Sequence, residues 1–263
     1  MEYIFGYIAA VIIGFIMGLL GGGGSILSVP VLVYTLGFNP ITATAYSLFI
    51  VGTTALVGSI QNFRKGLINF KVGFTFAIPS LIAVYLTRSL LIPALPDVFS
   101  IAGYSFSKEK SIMVFFALLM LFAAISMIRK KKETDATREE SHKLNYFLIF
   151  TEGAIVGVLT GIVGAGGGFL IIPALVILAK QPMKVAVATS LMIIACKSLF
   201  GFLGDLGQQN IDWQFLLSFT SLAIVGIFIG IYFSKFFKGA SLKVAFGWFV
   251  IAMSAYIFIK EVF

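Results

Sequence analysis

Charge is scarce in this chain. Only 11% of its 263 residues are Asp, Glu, Lys or Arg, 59% are hydrophobic, and the mean hydropathy is +1.04. A soluble domain of this length cannot cover its surface with so few polar side chains. Cysteine and histidine are scarcer still, with one of each. The lone Cys196 excludes an intrachain disulfide, and the lone His142 leaves little from which to build a metal cluster or a nucleophile–base pair. No stretch alternates apolar and polar residues with a period of two, which excludes a transmembrane barrel. No glycine-rich run ends in Lys followed by Ser or Thr, so no Walker A phosphate loop is present.

Long apolar runs fill the chain instead. They fall at 3–20, 25–37, 40–60, 69–91 and 111–128, and again at 144–163, 168–180, 184–205, 212–234 and 241–260. Runs of about 18 or more apolar residues cross the roughly 30 Å hydrocarbon core as helices. The expected fold is therefore an all-α polytopic membrane protein. The first run has no basic n-region or small-residue cleavage site, and it reads as a retained membrane segment rather than a signal peptide. Between the two sets lies 129–143, RKKKETDATREESHK, which reads as a solvated linker with His142 an ordinary exposed residue. The expected organisation is a first repeat over 1–128, the charged linker over 129–143 and a second repeat over 144–263. The formal net charge of +8 belongs to membrane-orienting loops rather than to a nucleic-acid surface.

The sets repeat one another. A shift of 143 positions, without gaps, lays Gly18–Lys71 on Gly161–Gln214 with about three in ten positions identical. It superimposes Gly21, Gly23, Gly24 and Pro30 on Gly164, Gly166, Gly167 and Pro173, and Ala43, Ala45, Ser47 and Leu48 on Ala186, Ala188, Ser190 and Leu191. If each glycine-broken pair of segments enters the membrane and returns, about fourteen of the 19 basic residues share the linker's face and about four lie opposite. The positive-inside rule then places the linker in the cytoplasm and both termini outside, in the cell (inner) membrane, and makes the repeats inverted.

Glycine in a helix interior costs about 1 kcal/mol relative to alanine, so four in a row require a reason. In each half the expected geometry is a helix entering, a glycine tip near mid-membrane and a short helix returning, re-entrant or fully crossing, from Ser25 or Gly168. Broken backbone survives at that depth only inside protein or along a wet cavity. Two tips (Gly21, Gly22, Gly23, Gly24 and Ser25; Gly164, Gly166, Gly167 and Gly168) would together cradle an anion with free N–H groups and helix dipoles. The alternative reading is small-residue packing of crossing helices. On the third segment, Ser47, Thr54, Gly58 and Gln61 share one helical face, and their repeat partners are Ser190, Lys197, Gly201 and Gly204. Lys197 lies about thirteen residues into its span, too deep to reach either surface easily, and is a candidate for substrate binding. Its other reading is an ion pair with Glu152 or Asp205, and Glu152 is also a candidate proton-coupling carboxylate. Ser25, Ser28, Thr44, Thr53 and Cys196 are polar enough to line the site.

The stretch GAGGGFLIIPALVILAKQPMKVAVATSLMIIACKSLFGFLGDLGQQNIDWQ, with its echo in the first half, resembles the sulfite exporter TauE/SafE family of membrane permeases over nearly the whole chain. The resemblance implies ion-coupled secondary transport of sulfur-compound anions such as sulfite, sulfonates or sulfoacetate. It maps the family's glycine–proline motifs onto Gly21–Ser25 with Pro30 and Gly164–Gly168 with Pro173, and its threonine–serine motif onto Thr189 and Ser190. In the first half that dipeptide is Tyr46-Ser47, which would narrow the cavity on one side. The segment Ile92–Lys110 is longer than its second-half counterpart, and a lid or short surface helix is expected there. The expected partners are a small anionic substrate, the bilayer, H+ or Na+ as coupling ion, and a second copy of the chain in a homodimer; no cofactor, metal or nucleic acid is expected. An anion channel and a membrane-embedded enzyme or assembly factor of sulfur metabolism are the competing classes.

The topology is testable directly. Single cysteines placed in 129–143 on a Cys196→Ser background should resist a membrane-impermeant maleimide added outside intact cells. Efficient external labelling would overturn the inverted arrangement.

Overall fold

The computed structural model describes residues 2–101, 104–128, 146–164, 166–177, 179, 181–207, 211–234, 236 and 239–262. The linker expected at 129–143 lies outside the described residues. All ten apolar runs contain helical segments, and among the described residues five helices are long and apolar enough to cross a membrane.

Helix α1 (Glu2–Leu20) ends at Gly21, whose φ of 68° is the left-handed conformation that closes a helix and suits glycine. A 3-10 segment, Gly21–Leu27, then passes through one α turn, α2 (Ser28–Pro30), into a π-helical turn, Val31–Thr35. The returning limb is thus a chain of three helix types rather than the helix from Ser25 that the sequence suggests. Four glycines in succession lack the side-chain packing that would hold α geometry, and Pro30 removes a backbone donor. Helix α3 (Pro40–Arg64) starts with Asn39 accepting from the Ile41 N–H at 2.9 Å and with proline in the first turn. Helix α4 (Phe70–Leu86) is capped by Asn69 and continues through a π-helical turn, Thr87–Leu91, into α5 (Ile92–Ala94).

Beyond α5 the chain forms strands, so of the lid or short surface helix expected for Ile92–Lys110 it is the helix that the structure replaces. Strands β1 (Val98–Ile101) and β2 (Tyr104–Ser107) pair antiparallel, Val98 opposite Ser107 and Ile101 opposite Tyr104. Pro96 discourages helix beyond α5, and VFSI and YSFS are rich in aromatic and β-branched residues. Among the described residues the fold is helical apart from this hairpin. Helix α6 (Lys108–Ile128) completes the first half. The second half runs α7 (Tyr146–Val163), α8 (Gly168–Ile177), α9 (Met183–Leu203), α10 (Trp213–Phe233) and α11 (Gly239–Val262). Asp212 caps α10 as Asn69 caps α4.

The packing exchanges between halves under the same 143-residue correspondence. Helix α1 packs on α10 as α7 packs on α4, α4 on α9 as α10 on α3, and α3 crosses α9 at the centre. Helices α3 and α9 are the most buried of the candidate spans. Outward faces carry exposed rows such as Phe5, Ile8 and Ile12 on α1, and Phe74, Ile78 and Ile82 on α4. These rows face lipid, since water would not tolerate so much contiguous apolar surface.

Lipid tails are as apolar as leucine, so the helices are held by close packing rather than by a hydrophobic drive. Backbone meets backbone at glycine. A β-carbon on Gly18 would lie 2.5 Å from the Ile227 carbonyl oxygen and 2.8 Å from Gly230 Cα. At Gly157 it would lie 2.7 Å from the Ser80 carbonyl oxygen. Gly18→Val should therefore force α1 off α10 at a cost of about 1–3 kcal/mol or more, since neither backbone can yield as a side chain would. A fall in the thermal unfolding midpoint in detergent is the expected outcome; an unchanged midpoint would show that this crossing contributes little.

Candidate functional site at the meeting of the two tips

The tips meet at the bundle centre. Gly21 and Gly22 lie along α9 from Val187 to Ile194, while Gly164 and Gly166 lie along α3 from Thr44 to Val51. Thr44 and Val51 are the repeat partners of Val187 and Ile194, so each tip leans on the same face of the other half's third long helix. Gly22 and Gly168 touch backbone to backbone: a β-carbon on Gly22 would lie 2.6 Å from Gly168 Cα. The tips therefore converge as the sequence suggests, but as a closed contact with no room between them for an anion.

The second tip is the more sharply bent. Gly164, Gly166 and Gly167 all have φ between 64° and 70°, whereas Gly21 alone does so in the first. Gly164 accepts the end of α7, its N–H donating to the Thr160 carbonyl at 2.8 Å. Helix α8 then begins at Gly168 with its N-terminal end facing Gly22. Gly23 and Gly24 lie in the 3-10 segment, and Gly24 packs on the Met17 backbone.

Lys197 is 1% exposed and donates to Thr160 Oγ1 at 2.7 Å. Its ammonium lies 2.6 Å from where a β-carbon on Gly167 would sit, so only glycine leaves it space. Thr160 in turn donates to the Val156 carbonyl at 2.7 Å. The ion pair with Glu152 considered for Lys197 is not formed: Glu152 is half-buried on α7, eight residues or about 12 Å of helix rise from Thr160. Nor does Lys197 pair with Asp205. That carboxylate faces Arg88, with Nη2 at 2.7 Å and Nε at 2.8 Å from Oδ2.

Arg88 is the residue that sequence reasoning missed. The charge count along the chain assigns it to the face opposite the linker, yet it is fully buried. Beyond Asp205, its Nη1 donates to Thr44 Oγ1 at 3.0 Å and to the Gly161 carbonyl at 3.3 Å. One guanidinium in the π-helical turn after α4 thus ties the start of α3, the end of α7 and the turn after α9 around the second tip. The 143-residue shift carried on past Lys71 puts the apolar Ile231 at its place, and among the described residues no equivalent ion pair holds the first tip. The signal was an arginine inside the apolar stretch 70–94.

The remaining candidates separate into committed and uncommitted groups. Ser25 donates to the Gly22 carbonyl at 2.7 Å and Ser28 to the Ser25 carbonyl at 2.7 Å, so the Ser28–Ser47 contact takes its proton from Ser47. Ser190 donates to the Val187 carbonyl at 2.8 Å. These three predicted residues (Ser25, Ser47 and Ser190) hold the tips and their supporting helices in shape. Thr54 Oγ1, Ser198 Oγ and Gln61 Oε1 are buried without a hydrogen-bond partner. Ser198 lies 3.4 Å from the β-carbon position of Gly166, whereas Gln61 sits two turns beyond Thr54 toward the α3–α4 turn. Among the described residues no group of three or more His, Cys, Asp or Glu side chains could hold a metal.

Two cross-half hydrogen bonds flank the centre. Thr189 Oγ1 accepts from the Asn69 N–H at 3.0 Å, and Tyr46 Oη accepts from the Asp212 N–H at 2.7 Å. Thr189 and Tyr46 are repeat partners, as are Asn69 and Asp212. Tyr46 thus performs the threonine's task from a longer side chain, and it stacks on Phe215 and meets Phe38 at a tilt while doing so. A surface cavity of about 400 Å³, lined by the turn Gly66–Lys71 and by Val185, lies over the Asn69 pin.

Arg88→Met should leave Asp205 as an uncompensated buried carboxylate and cost about 3–5 kcal/mol. Adding Asp205→Leu should recover most of that loss in a thermal-unfolding comparison. Equal stability of Arg88→Met and the parent would show that the pair does not hold the second tip.

The model of the sulfite exporter TauE/SafE family matches residues 7–260. The chain is similar to a "Probable membrane transporter protein" of Xylella fastidiosa strain 9a5c, 29% identical over 252 residues that cover 94% of this chain and 91% of the relative. A second relative of that description, from Methanocaldococcus jannaschii, is 29% identical and covers 81% and 78% of the two chains. A third, from Bacillus subtilis strain 168, is 25% identical and covers 86% of each. With its glycine–proline tips and its multi-pass helical fold, the chain belongs to the sulfite exporter TauE/SafE family of membrane transporters, not enzymes.

Proposed function

We propose that the protein is a secondary transporter of a small sulfur oxyanion or organosulfonate, such as sulfite or sulfoacetate, working by alternating access. The observation that carries this reading is Lys197: a fully buried ammonium held against glycine backbone at the contact of two broken helices, with a neutral hydroxyl as its hydrogen-bond partner. Ionisable groups at such depth mark substrate or ion paths, and half-helix N-termini aimed at the midplane suit anionic groups.

The halves act as two inverted repeats, 1–128 and 144–263, joined by a cytoplasmic linker, with both termini outside the cell (inner) membrane. Support comes from the exchange of packing partners between halves and from the basic residues gathered on the linker's face. In the occluded state the tips touch. Substrate binding parts them, and rocking of the halves opens one pinned face while the other stays closed. Glu152, half-buried on α7, is placed to couple protons; Na+ is the other coupling ion to test.

Counterflow of labelled sulfite or sulfoacetate in proteoliposomes tests the reading, with pH and sodium gradients imposed in turn. Saturable, gradient-driven accumulation is expected, and unsaturable flux without counterflow would point to a channel. Gly22→Ala and Gly166→Ala should each abolish counterflow while the protein still inserts, because each added methyl enters an occupied contact. Full transport by either variant would remove that tip from the pathway.

A further inference from the structure

We infer that the centre carries one unmatched positive charge, located at the second tip, and that the head group it accepts is a monoanion held by Lys197, Ser198 and the N-terminus of α8. This rests on the anion-transport reading above and narrows it.

The charge count is short. Among the described residues the buried charged side chains are Arg88, Lys108, Lys197 and Asp205. Arg88 and Asp205 neutralise each other at 2.7 Å. Lys108 opens α6 beside the hairpin and donates to the Leu95 carbonyl, away from the tips. That leaves Lys197. An ammonium has three protons, and Thr160 takes one. Ser198, fully buried and unpartnered, points a second donor at Gly166, the residue that leads through Gly167 into α8. The Gly168 and Phe169 N–H groups at the start of α8 supply the remaining donors, since those of Leu170 and Ile171 already donate to the Gly167 carbonyl.

The first tip offers none of this. Its equivalents of Lys197 and Ser198 are Thr54 and Ala55, and its return limb starts as a 3-10 segment rather than an α-helix. A monoanion at the second tip brings the buried charge to zero. A dianion leaves one negative charge in a low-dielectric centre, where an unpaired charge is costly. The sequence repeat thus encodes an unequal pair: one half binds the charged head and the other closes over it.

Radiolabelled methanesulfonate (a monoanion) and sulfate (a dianion), bound to purified protein by scintillation proximity, test this. Methanesulfonate should bind about tenfold or more tighter than sulfate. Lys197→Gln, monodisperse on size exclusion, should lose methanesulfonate binding. Asp205→Asn releases Arg88 and adds one positive charge, so the ratio should move toward sulfate by about tenfold. Arg88→Gln with Asp205→Asn should restore the original ratio. If Asp205→Asn does not purify as one species, the parent ratio and Lys197→Gln decide. Sulfate bound as tightly as methanesulfonate, or methanesulfonate retained by monodisperse Lys197→Gln, overturns the inference. Counterflow of sulfite in the same preparation separates the two levels. Counterflow with sulfate preferred sinks only the monoanion assignment, and no counterflow of any anion sinks the transport reading with it.

Discussion

The contact between Gly22 and Gly168 fixes the rest of the molecule. A β-carbon on either residue would collide with the other's backbone, so the two broken segments meet at a distance that no other residue type permits. The closeness has consequences in both directions along the chain. It draws α1 and α7 inward until their own glycines contact α10 and α4, and it presses each tip along the other half's third long helix. Dispersion across such contacts is the main cohesive force open to a bundle in lipid, where burying one more apolar side chain gains nothing over leaving it in the acyl chains.

On that shared frame the two halves have diverged in chemistry. The first tip is held by hydroxyls: Ser47 donates to the Ser28 hydroxyl, Ser28 to the Ser25 carbonyl and Ser25 to the Gly22 carbonyl, and none of these groups is charged. The second is held by ions, with Arg88 gathering Thr44, Gly161 and Asp205, and Lys197 resting on Thr160. The pins show the same drift, since Tyr46 and Thr189 reach equivalent N–H groups with side chains of different length. Repeat symmetry thus constrains backbone and contact pattern while side chains at equivalent positions take separate roles.

That distinction also explains what could be read from residues alone. Ten apolar runs become ten helical segments because hydrocarbon admits few other solutions, and the tips were visible because runs of glycine cannot hide in a helix. Lys197 stood out for the same reason. The 3-10 and π-helical return of the first half was not legible, since nothing in GGGGSILSVPVLV distinguishes those turns from a short α-helix. The partner of Asp205 was not legible either. Arg88 lies 117 positions away in sequence, and only the three-dimensional crossing of α4 with α9 brings them together. Lys197 and Glu152 suggested a pair by their depth, but Lys197 meets α7 at Thr160, eight residues from Glu152. Hydrophobic periodicity carries no information on such long-range polar matches, which depend on helix rotation and depth.

The unequal tethering has a mechanical corollary. For any ligand to reach Lys197, Gly22 and Gly168 must separate, and the side that moves is the one with fewer ties. The second tip is anchored through Arg88 to three other segments, and breaking that network means baring a charge in a medium that cannot solvate it. The first tip is anchored by neutral hydrogen bonds, most of them within its own segment, and its counterpart to Arg88 is the apolar Ile231. Displacing it leaves those internal bonds intact and breaks no ion pair. Separation is therefore cheaper by motion of the first tip as a unit against α9 than by motion of the second against α3. On the alternating-access reading, the tip tied by ions is the fixed one and the tip tied by hydroxyls supplies the movement.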